Sequence, residues 1–202
     1  KRKNIFFNFT RRYSKGFQEI RQKLGKRKPK LILFRYNKGL INYGSHFIDF
    51  LTDWYGEIDF VRAINEELGI HQDKSMSFYC RMKNNIDVMA QMIEGVNYDQ
   101  FEIDLFFKEM VVSMKNGGKE KYISESKESM YYNGYTHLKK PKIFCNQDLI
   151  GNLEPLYQRL SDYILNKRKT DLCDLSEAFY NMKVIDALKK SYSNNSIRVK
   201  VN

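Results

Sequence analysis

A histidine at the start of an amphipathic helix is the residue whose type and position best suit chemistry in this 202-residue chain. His46 lies in the stretch INYGSHFIDFLTDWYG, residues 41–56, with Asp49 three residues after it. An imidazole has an unperturbed pKa of about 6.5, so it can accept or return a proton at neutral pH. A carboxylate one helical turn away would raise that pKa and hold one ring tautomer. The spacing makes His46 a candidate acid–base group and Asp49 its orienting partner; a helix-entry histidine bonded to a backbone carbonyl is the alternative.

The residues around His46 predict the helix that carries it. Gly44 and Ser45 precede the histidine and are expected to leave space for a ligand, and Gly56 is expected to end the helix. Apolar side chains recur at the i, i+3, i+4, i+7, i+8 spacing of a buried helix face. They are Phe47, Phe50, Leu51, Trp54 and Tyr55. The helix should therefore pack on a core through this face and present His46 from another.

Short strands and three further helices account for the rest of the chain. Residues 4–10 and 31–36 are predicted as strands, and Ser14 is expected to cap a helix that Gly25 ends. Between residues 58 and 122, short apolar segments alternate with turns too short to hold a crossover helix, which predicts antiparallel pairing. The remaining predictions are a tyrosine-rich loop over 124–142, helices over 149–164 and 175–188, and a strand over 197–201. The predicted fold is α+β: one domain over 1–202, an open, mostly antiparallel sheet with helices on one face.

The positive charge is confined to the amino-terminal end. The net charge is +11, but residues 1–38 hold fourteen Lys or Arg and one acid, whereas residues 39–202 hold 21 bases and 23 acids. Such an end can meet phosphate, an acidic neighbouring domain or solvent.

Cysteine usage and hydropathy favour a reduced, cytoplasmic protein. Cys80, Cys145 and Cys173 are far apart and have no histidine at metal-ligand spacing, so neither disulfides nor a metal site are expected. No run of eighteen apolar residues and no signal-peptide pattern occurs, so no membrane partner is expected.

Three segments, taken in order, resemble the carboxy-terminal half of the Gfo/Idh/MocA oxidoreductases. They are NFTRRY (8–13), YNKGLINYGSHFIDFLTDWYG (36–56) and LSEAFYNMKVIDALKKSYSNNSIRVKV (175–201). In that family an amino-terminal dinucleotide-binding domain precedes a substrate and oligomerisation domain built on an open, mostly antiparallel sheet. The resemblance covers nearly the whole chain. It implies that residues 1–12 contain the strand that leaves a dinucleotide-binding domain absent from this sequence.

The resemblance also implies an activity. In the family, a segment like GxHxxD supplies a histidine that acts as acid–base on a sugar hydroxyl or carbonyl while hydride passes to or from a nicotinamide. His46 and Asp49 match that histidine and aspartate. The chain is then the substrate domain of an NAD(P)-dependent oxidoreductase acting on a sugar or nucleotide sugar, in carbohydrate or surface-polysaccharide metabolism. NAD or NADP would be bound mainly by the absent domain, so the chain alone is expected to be inactive.

Substrate contacts are expected beside the helix entry. Asn42 stands four residues before the histidine, where many members of the family have an aspartate; its amide can hydrogen-bond a sugar hydroxyl but cannot act as a base. Tyr36, Lys38 and Arg12 are the other predicted sugar contacts. Four basic residues are candidates for the phosphates of a cofactor or nucleotide sugar: Arg11, Arg12, Arg35 and Lys38.

Two other kinds of function stay open. A stand-alone basic module would bind RNA through FFNFTRRY and KRKPK, although nucleic acid is the less favoured partner. A non-catalytic scaffold would pair through the open sheet face. Homo-oligomers through that face are expected in any case, because an uncovered apolar face favours association. Neither rival accounts for a glycine, a serine, a histidine and an aspartate gathered at one helix entry.

Overall fold

The computed structural model describes residues 5–67, 73–166 and 171–201, and a ten-stranded sheet runs through them. The strands are β1 (Phe6–Phe7), β2 (Leu31–Tyr36), β3 (Ile58–Glu67), β4 (Ser75–Met82), β5 (Asp87–Met92), β6 (Phe101–Phe106), β7 (Met110–Lys115), β8 (Glu120–Glu128), β9 (Thr136–Leu138), β10 (Lys142–Asn146), β11 (Cys173–Asp174) and β12 (Val199–Lys200). The helices are α1 (Thr10–Tyr13), α2 (Lys15–Leu24), α3 (Ser45–Tyr55), α4 (Glu154–Asn166) and α5 (Leu175–Ser193). A π-helical turn (Gly39–Gly44) precedes α3, and a 3₁₀ turn (Asn116–Gly118) precedes β8.

The large sheet is mostly antiparallel, as predicted. Its strand order is β10-β8-β7-β6-β2-β5-β4-β3-β12, with β9 beside β8. Among the described strands only β2 and β5 pair in parallel, in the register Leu31 to Asp87 through Tyr36 to Met92. A parallel pair needs a long crossover, and the chain between these two strands contains α3. The helix that carries His46 is therefore the crossover element of the central strand pair.

Helices cover one face of the sheet. Along β2, Ile32, Phe34 and Tyr36 are buried while the residues between them are half-buried, which is the alternation of a strand with one covered face. The Phe34 ring stacks on Phe47 of α3 with centroids 4.0 Å apart. Helix α5 is tied to β3 by the Ser191 hydroxyl, which accepts a hydrogen bond from the Ala63 backbone N–H at 2.9 Å. The predicted α+β architecture is confirmed.

The centre of the opposite face carries ion pairs. Asp104 of β6 accepts hydrogen bonds from Arg35 of β2 at 2.6 Å and from Lys115 of β7 at 3.1 Å. Lys115 also contacts Glu102 at 3.1 Å. Self-association through this face was expected because an open sheet face was assumed to be apolar. The centre of the face is charged instead, so that reason does not apply there. Association of copies through the open face stays a prediction.

The strand predicted over residues 4–10 is correct only for a short part of that range. Strand is limited to Phe6–Phe7, which pairs with β11 instead of the large sheet. Residues 10–13 form α1, with the Arg12 N–H bonded to the Phe9 carbonyl at 2.9 Å. The side chains of Arg11 and Arg12 are buried, and a helical turn lets two successive arginines both point inward, which a strand cannot do. A strand over residues 1–12 is therefore not observed, and residues 1–4 lie outside the described part of the chain.

Two predictions in the second half need correction. Part of the tyrosine-rich segment pairs with the sheet, because β8 extends to Glu128 and β9 lies beside it. The helix predicted from residue 149 begins at Glu154, where the Asn152 side chain accepts a hydrogen bond from the Glu154 N–H at 3.0 Å. Pro155 then occupies the first turn, where its missing N–H costs no helical hydrogen bond.

A buried ion pair fixes the start of α2. Lys121 is fully buried and its Nζ lies 2.7 Å from Asp148 Oδ2. The same carboxylate oxygen accepts a hydrogen bond from the Ser14 hydroxyl at 2.8 Å. Ser14 caps α2 by accepting from the Phe17 N–H at 3.4 Å, as predicted from the sequence. The cap, the ion pair and the loop that carries Asp148 therefore form one buried unit.

Gly16→Ala should lower the free energy of unfolding by about 1 kcal/mol or more. A Cβ at this position would lie 2.5 Å from Asp148 Oδ2 and 2.9 Å from Lys121 Nζ. Overpacking costs about 1–3 kcal/mol, which exceeds the gain of up to about 1 kcal/mol from alanine's helix propensity. Urea denaturation measures the difference. Gly151→Ala is the matched control because its Cβ would meet no atom within 4 Å; a Gly16→Ala protein as stable as this control would contradict the prediction.

None of the helices in the described ranges is long and apolar enough to cross a membrane.

Candidate active site around His46

A capped π-helical turn sets where α3 begins. Lys38 and Gly39 both have positive φ, 62° and 87°, and turn the chain out of β2. The Asp73 carboxylate then accepts hydrogen bonds from the backbone N–H groups of Ile41, at 2.9 Å, and Asn42, at 2.8 Å. A Cβ on Gly39 would lie 2.0 Å from Asp73 Oδ2, so this position requires glycine both for its conformation and for its size. The start of α3 is thus held by a residue from the β3–β4 connection.

Gly44 serves packing rather than ligand access. A Cβ here would lie 2.9 Å from Cδ1 of the buried Leu40, so the missing side chain lets the turn close on its own core residue. Ser45 donates a hydrogen bond to the Asn42 carbonyl at 3.0 Å, which closes the turn from the other side. The space expected for a ligand at these two positions is therefore occupied by the turn itself.

The His46 imidazole is half-buried and incompletely partnered. Its Nδ1 atom is buried and has no hydrogen-bond partner among the described residues. The ring stands perpendicular to Phe9 with centroids 5.4 Å apart. Burial, together with the nearby charge of Arg11, lowers the pKa of His46 to about 4. The ring is therefore neutral at pH 7. The alternative role, a helix-entry histidine bonded to a backbone carbonyl, would need a hydrogen bond that Nδ1 does not make to any described residue.

Asp49 does not orient His46. Its Oδ1 accepts hydrogen bonds from Arg12 Nη2 at 2.6 Å and from Asn181 Nδ2 at 3.2 Å, and its Oδ2 accepts from Arg12 Nε at 3.2 Å. The predicted contact to the histidine is wrong because α3 directs this carboxylate towards α1 and α5. There it meets a buried guanidinium, which is a stronger partner than a neutral imidazole. Asp49 therefore holds three helices together.

The Arg12–Asp49 pair is ionised at neutral pH. Burial raises the pKa of Asp49 to about 6, against the opposing effect of the hydrogen bonds from Arg12. Burial also lowers the pKa of Arg12, but its hydrogen bonds to Asp49 and the negative charges of Asp49 and Asp53 together outweigh this effect and raise it above the usual value. The attraction is shared by both partners, and the bidentate geometry favours the charged form of each.

Two predicted substrate contacts are structural. Arg12 is 5% exposed, and beyond Asp49 it contacts Glu177 at 3.1 Å. Tyr36 is fully buried; its hydroxyl donates to the Met76 carbonyl at 2.7 Å and accepts from the Met76 N–H at 3.0 Å. Their polar groups are used inside the protein, so the prediction that they contact substrate is wrong.

The other two predicted substrate contacts, Asn42 and Lys38, lie at the helix entry. Asn42 is exposed and takes part in the turn through its backbone. The Lys38 Nζ lies 2.5 Å from Asp99 Oδ1, in an exposed pair. Their contact with substrate stays a prediction.

Tyr43 and Phe101 were missed by sequence reasoning, and Arg11 was identified only as one of four basic candidates. The Arg11 guanidinium carbon lies 3.5 Å from the Phe101 ring centre and 5.4 Å from that of Tyr43. Tyr43 stands three residues before His46, a spacing that brings side chains together on a helix and was available as a signal. Phe101 comes from β6 and offers no such signal. These residues and His46 form the candidate site.

No group of three or more His, Cys, Asp or Glu side chains within the described ranges is placed to hold a metal ion.

No protein-family model matches the sequence, and no curated protein matches it either. Solved structures match the fold. One is the Gal80p super-repressor mutant G301R of Saccharomyces cerevisiae, at a TM-score of 0.73 and 14% identity over 98% of this chain and 65% of that one. A second is the WlbA dehydrogenase of Bordetella pertussis in complex with NADH and UDP-GlcNAcA, at 0.70 and 11% over 98% and 64%. A third is the UDP-N-acetylglucosamine 3-dehydrogenase GnnA of Acidithiobacillus ferrooxidans, at 0.64 and 13% over 90% and 60%.

The chain spans 60–65% of the length of these three structures. At 11–14% identity the likeness concerns the fold. That fold, an open mixed sheet with helices on one face, is the one the sequence resemblance implied. The chain therefore has the fold of the carboxy-terminal domain of Gfo/Idh/MocA-type oxidoreductases.

Proposed function

We propose that this chain is the substrate and oligomerisation domain of an NAD(P)-dependent oxidoreductase that acts on a sugar or nucleotide sugar. The observation that carries the proposal is the buried, unpartnered Nδ1 of His46 at the entry of the crossover helix. A buried polar atom without a partner costs free energy, and a catalytic role or a bound ligand is one of the explanations for such an atom in a native protein. The solved structures with this fold include a dehydrogenase in complex with NADH and UDP-GlcNAcA, which supports the substrate class.

In this proposal the chain supplies the proton transfer. When a sugar hydroxyl is oxidised to a carbonyl, the carbon loses a hydride and the oxygen loses a proton. His46 is neutral, so one of its ring nitrogens can accept that proton, and the resulting imidazolium can return it in the reverse direction. Asn42 and Lys38 lie at the same helix entry, where an amide and an ammonium can hold neighbouring hydroxyl groups. Asp49 holds α3 in place through Arg12.

The glycine-containing turn between β2 and α3 does not fit the pyrophosphate of a dinucleotide. The connection from β2 to α3 is a glycine-containing turn after a strand, the arrangement in which backbone N–H groups bind pyrophosphate in other folds. Here the Asp73 carboxylate fills the space beside Gly39 and accepts the N–H groups of Ile41 and Asn42. A carboxylate in that position repels phosphate. We therefore assign the nicotinamide cofactor to a separate domain.

Acidic partners neutralise part of the basic amino-terminal end. Arg12 is paired with Asp49, Arg21 with Asp53 at 2.7 Å, and Arg35 with Asp104. The four bases of KRKPK are exposed, so RNA binding through that segment stays an alternative.

Nicotinamide-dependent turnover by the protein whose gene encodes this chain tests the proposal. With a dinucleotide-binding domain present, we expect oxidation of a sugar or UDP-sugar with NAD or NADP, followed by nicotinamide absorbance. The 202-residue chain alone should bind the same sugars in calorimetry without binding NADH. Tight NADH binding by the chain alone, or failure of the whole protein with every sugar class, would contradict it.

A further inference from the structure

Arg11 is a buried cation without a carboxylate partner in the described part of the chain. The residue is 7% exposed, and within those ranges no acidic oxygen lies within 4.0 Å of its guanidinium. Arg12, the next residue, is 5% exposed and pairs with Asp49 and Glu177. Buried charges in proteins are normally paired, because an isolated ion in a low-dielectric interior is expensive. Arg12 therefore has the acidic partners that a buried charge normally requires, whereas Arg11 has none in the described ranges.

The contacts that Arg11 does make leave part of its hydrogen-bonding capacity unused. Its Nε and Nη2 donate to the Gly117 carbonyl at 3.3 and 3.2 Å. These bonds use two of the five N–H groups of a guanidinium. The Phe101 ring, 3.5 Å away, holds the charge by a cation–π contact. Burial lowers the pKa of Arg11 to about 10, against the opposing effects of the charge and the hydrogen bond of Tyr43.

Arg11 and His46 lie in the same region of the protein, at the start of α3. The charge of Arg11 is the second cause, after burial, of the low pKa of His46. The ring of Tyr43, one turn before His46, lies 5.4 Å from the Arg11 guanidinium carbon. A buried cation without an acidic partner in the described ranges and an imidazole with a buried, unpartnered Nδ1 therefore lie near each other at the start of α3.

We propose that Arg11 is a substrate-binding residue that receives an anionic oxygen, from a carboxylate or a phosphate, beside His46. A guanidinium presents parallel N–H groups that match two oxygens of either anion. The anion compensates the buried charge, and it also reduces the repulsion that opposes protonation of His46. The site then selects negatively charged sugars over neutral ones. Identification of the ligand as the substrate rests on the proposed function; the presence of an anion site does not.

The test uses the 202-residue chain without cofactor and follows the His46 ring by NMR as pH is varied. The probes are glucuronate, which carries only a carboxylate, UDP, which carries only phosphates, and neutral glucose. In the parent chain the His46 midpoint is expected at about 4, and saturating glucuronate or UDP should raise it while glucose should not. A response to one anion alone identifies the recognised group, and a response to both assigns a general oxyanion site.

Arg11→Gln should raise the His46 midpoint in the absence of any ligand. It should also weaken binding of the effective anion by about 10-fold or more and abolish the ligand-induced shift, since hydrogen bonds to charged groups carry that much affinity. Arg27→Gln removes the same charge from an exposed turn and should behave as the parent chain. If Arg11→Gln does not fold, Arg11→Lys retains the charge and should keep both the low midpoint and a weaker anion response.

Anions that leave the His46 midpoint unchanged, or that move it equally in Arg11→Gln, would overturn the proposal. The result is independent of the proposed function. An anion site without nicotinamide turnover by the whole protein would refute only the oxidoreductase activity, and turnover with no Arg11-dependent anion response would refute only the anion site.

Discussion

If the proposed oxidoreductase function is correct, His46→Ala in the whole protein should lower kcat by about 10²-fold or more while the protein stays folded. General acid–base catalysis by a positioned side chain contributes about 10²–10⁴-fold, and His46 is the residue at the helix entry whose neutral ring can accept a proton. Loss of proton transfer acts in the transition state, so KM for the sugar should change much less than kcat. Steady-state kinetics in both directions measure the effect, and a thermal unfolding scan confirms that the variant is folded.

His137→Ala is the matched control. His137 is an exposed residue of β9, so its loss should leave kcat unchanged. In the parent protein the oxidation rate should fall as the pH drops towards the His46 pKa, because protonated imidazole cannot accept a further proton. The pKa of the ring is about 4 in the chain by itself. That acidic limb should disappear from the pH profile of His46→Ala. Unchanged kcat in this variant would make the histidine a structural residue.

Asp49→Asn should lower the free energy of unfolding by about 3 kcal/mol. Removing one partner of a buried ion pair typically costs about 3–5 kcal/mol, because the remaining charge is left buried and uncompensated. The side chains of Arg12 and Asp49 are 3% and 2% exposed. Glu177 is 3.1 Å from the same guanidinium and partly compensates it, which places the expected loss at the lower end. Urea denaturation of parent and variant measures the difference.

Glu19→Gln provides the surface comparison. Glu19 pairs with Lys15 at 3.8 Å, and both side chains are well exposed. This variant should cost no more than about 0.5 kcal/mol. The double variant Arg12→Met with Asp49→Leu removes both charges and should recover much of the loss, as apolar replacement of buried pairs often does. An Asp49→Asn loss as small as that of Glu19→Gln would show that the pair contributes little.

The same variant separates the two roles considered for Asp49. If the carboxylate oriented the imidazole, Asp49→Asn would move the His46 titration midpoint and lower kcat in a folded protein. The observed contacts predict a loss of stability with an unchanged His46 midpoint, because the carboxylate is bound to Arg12 and Asn181.

Local pattern was sufficient to determine most elements of this chain. The Ser14 cap and Gly25 bound α2, Asp174 begins α5, and the apolar stripe from Phe47 to Tyr55 builds α3. These features act over one or two helical turns, so their physics is contained in neighbouring residues. The fold class also followed, since short connections between residues 58 and 122 exclude parallel pairing there.

Partners distant in the chain were decided by the tertiary structure alone. Spacing placed Asp49 beside His46, yet its carboxylate binds Arg12, 37 residues away, because a fully charged partner wins over a neutral ring in a buried site. The strand predicted over residues 4–10 is limited to Phe6–Phe7, and a helical turn from Thr10 follows it, in which two adjacent arginines are both buried. Sequence alone determined that a histidine lies in the first turn of an amphipathic helix, and the parallel pairing of β2 and β5 made that helix a crossover. Which charges surround it, Arg11 near the ring and Asp49 turned away, depended on contacts between elements far apart in the chain, and no periodicity encodes those contacts.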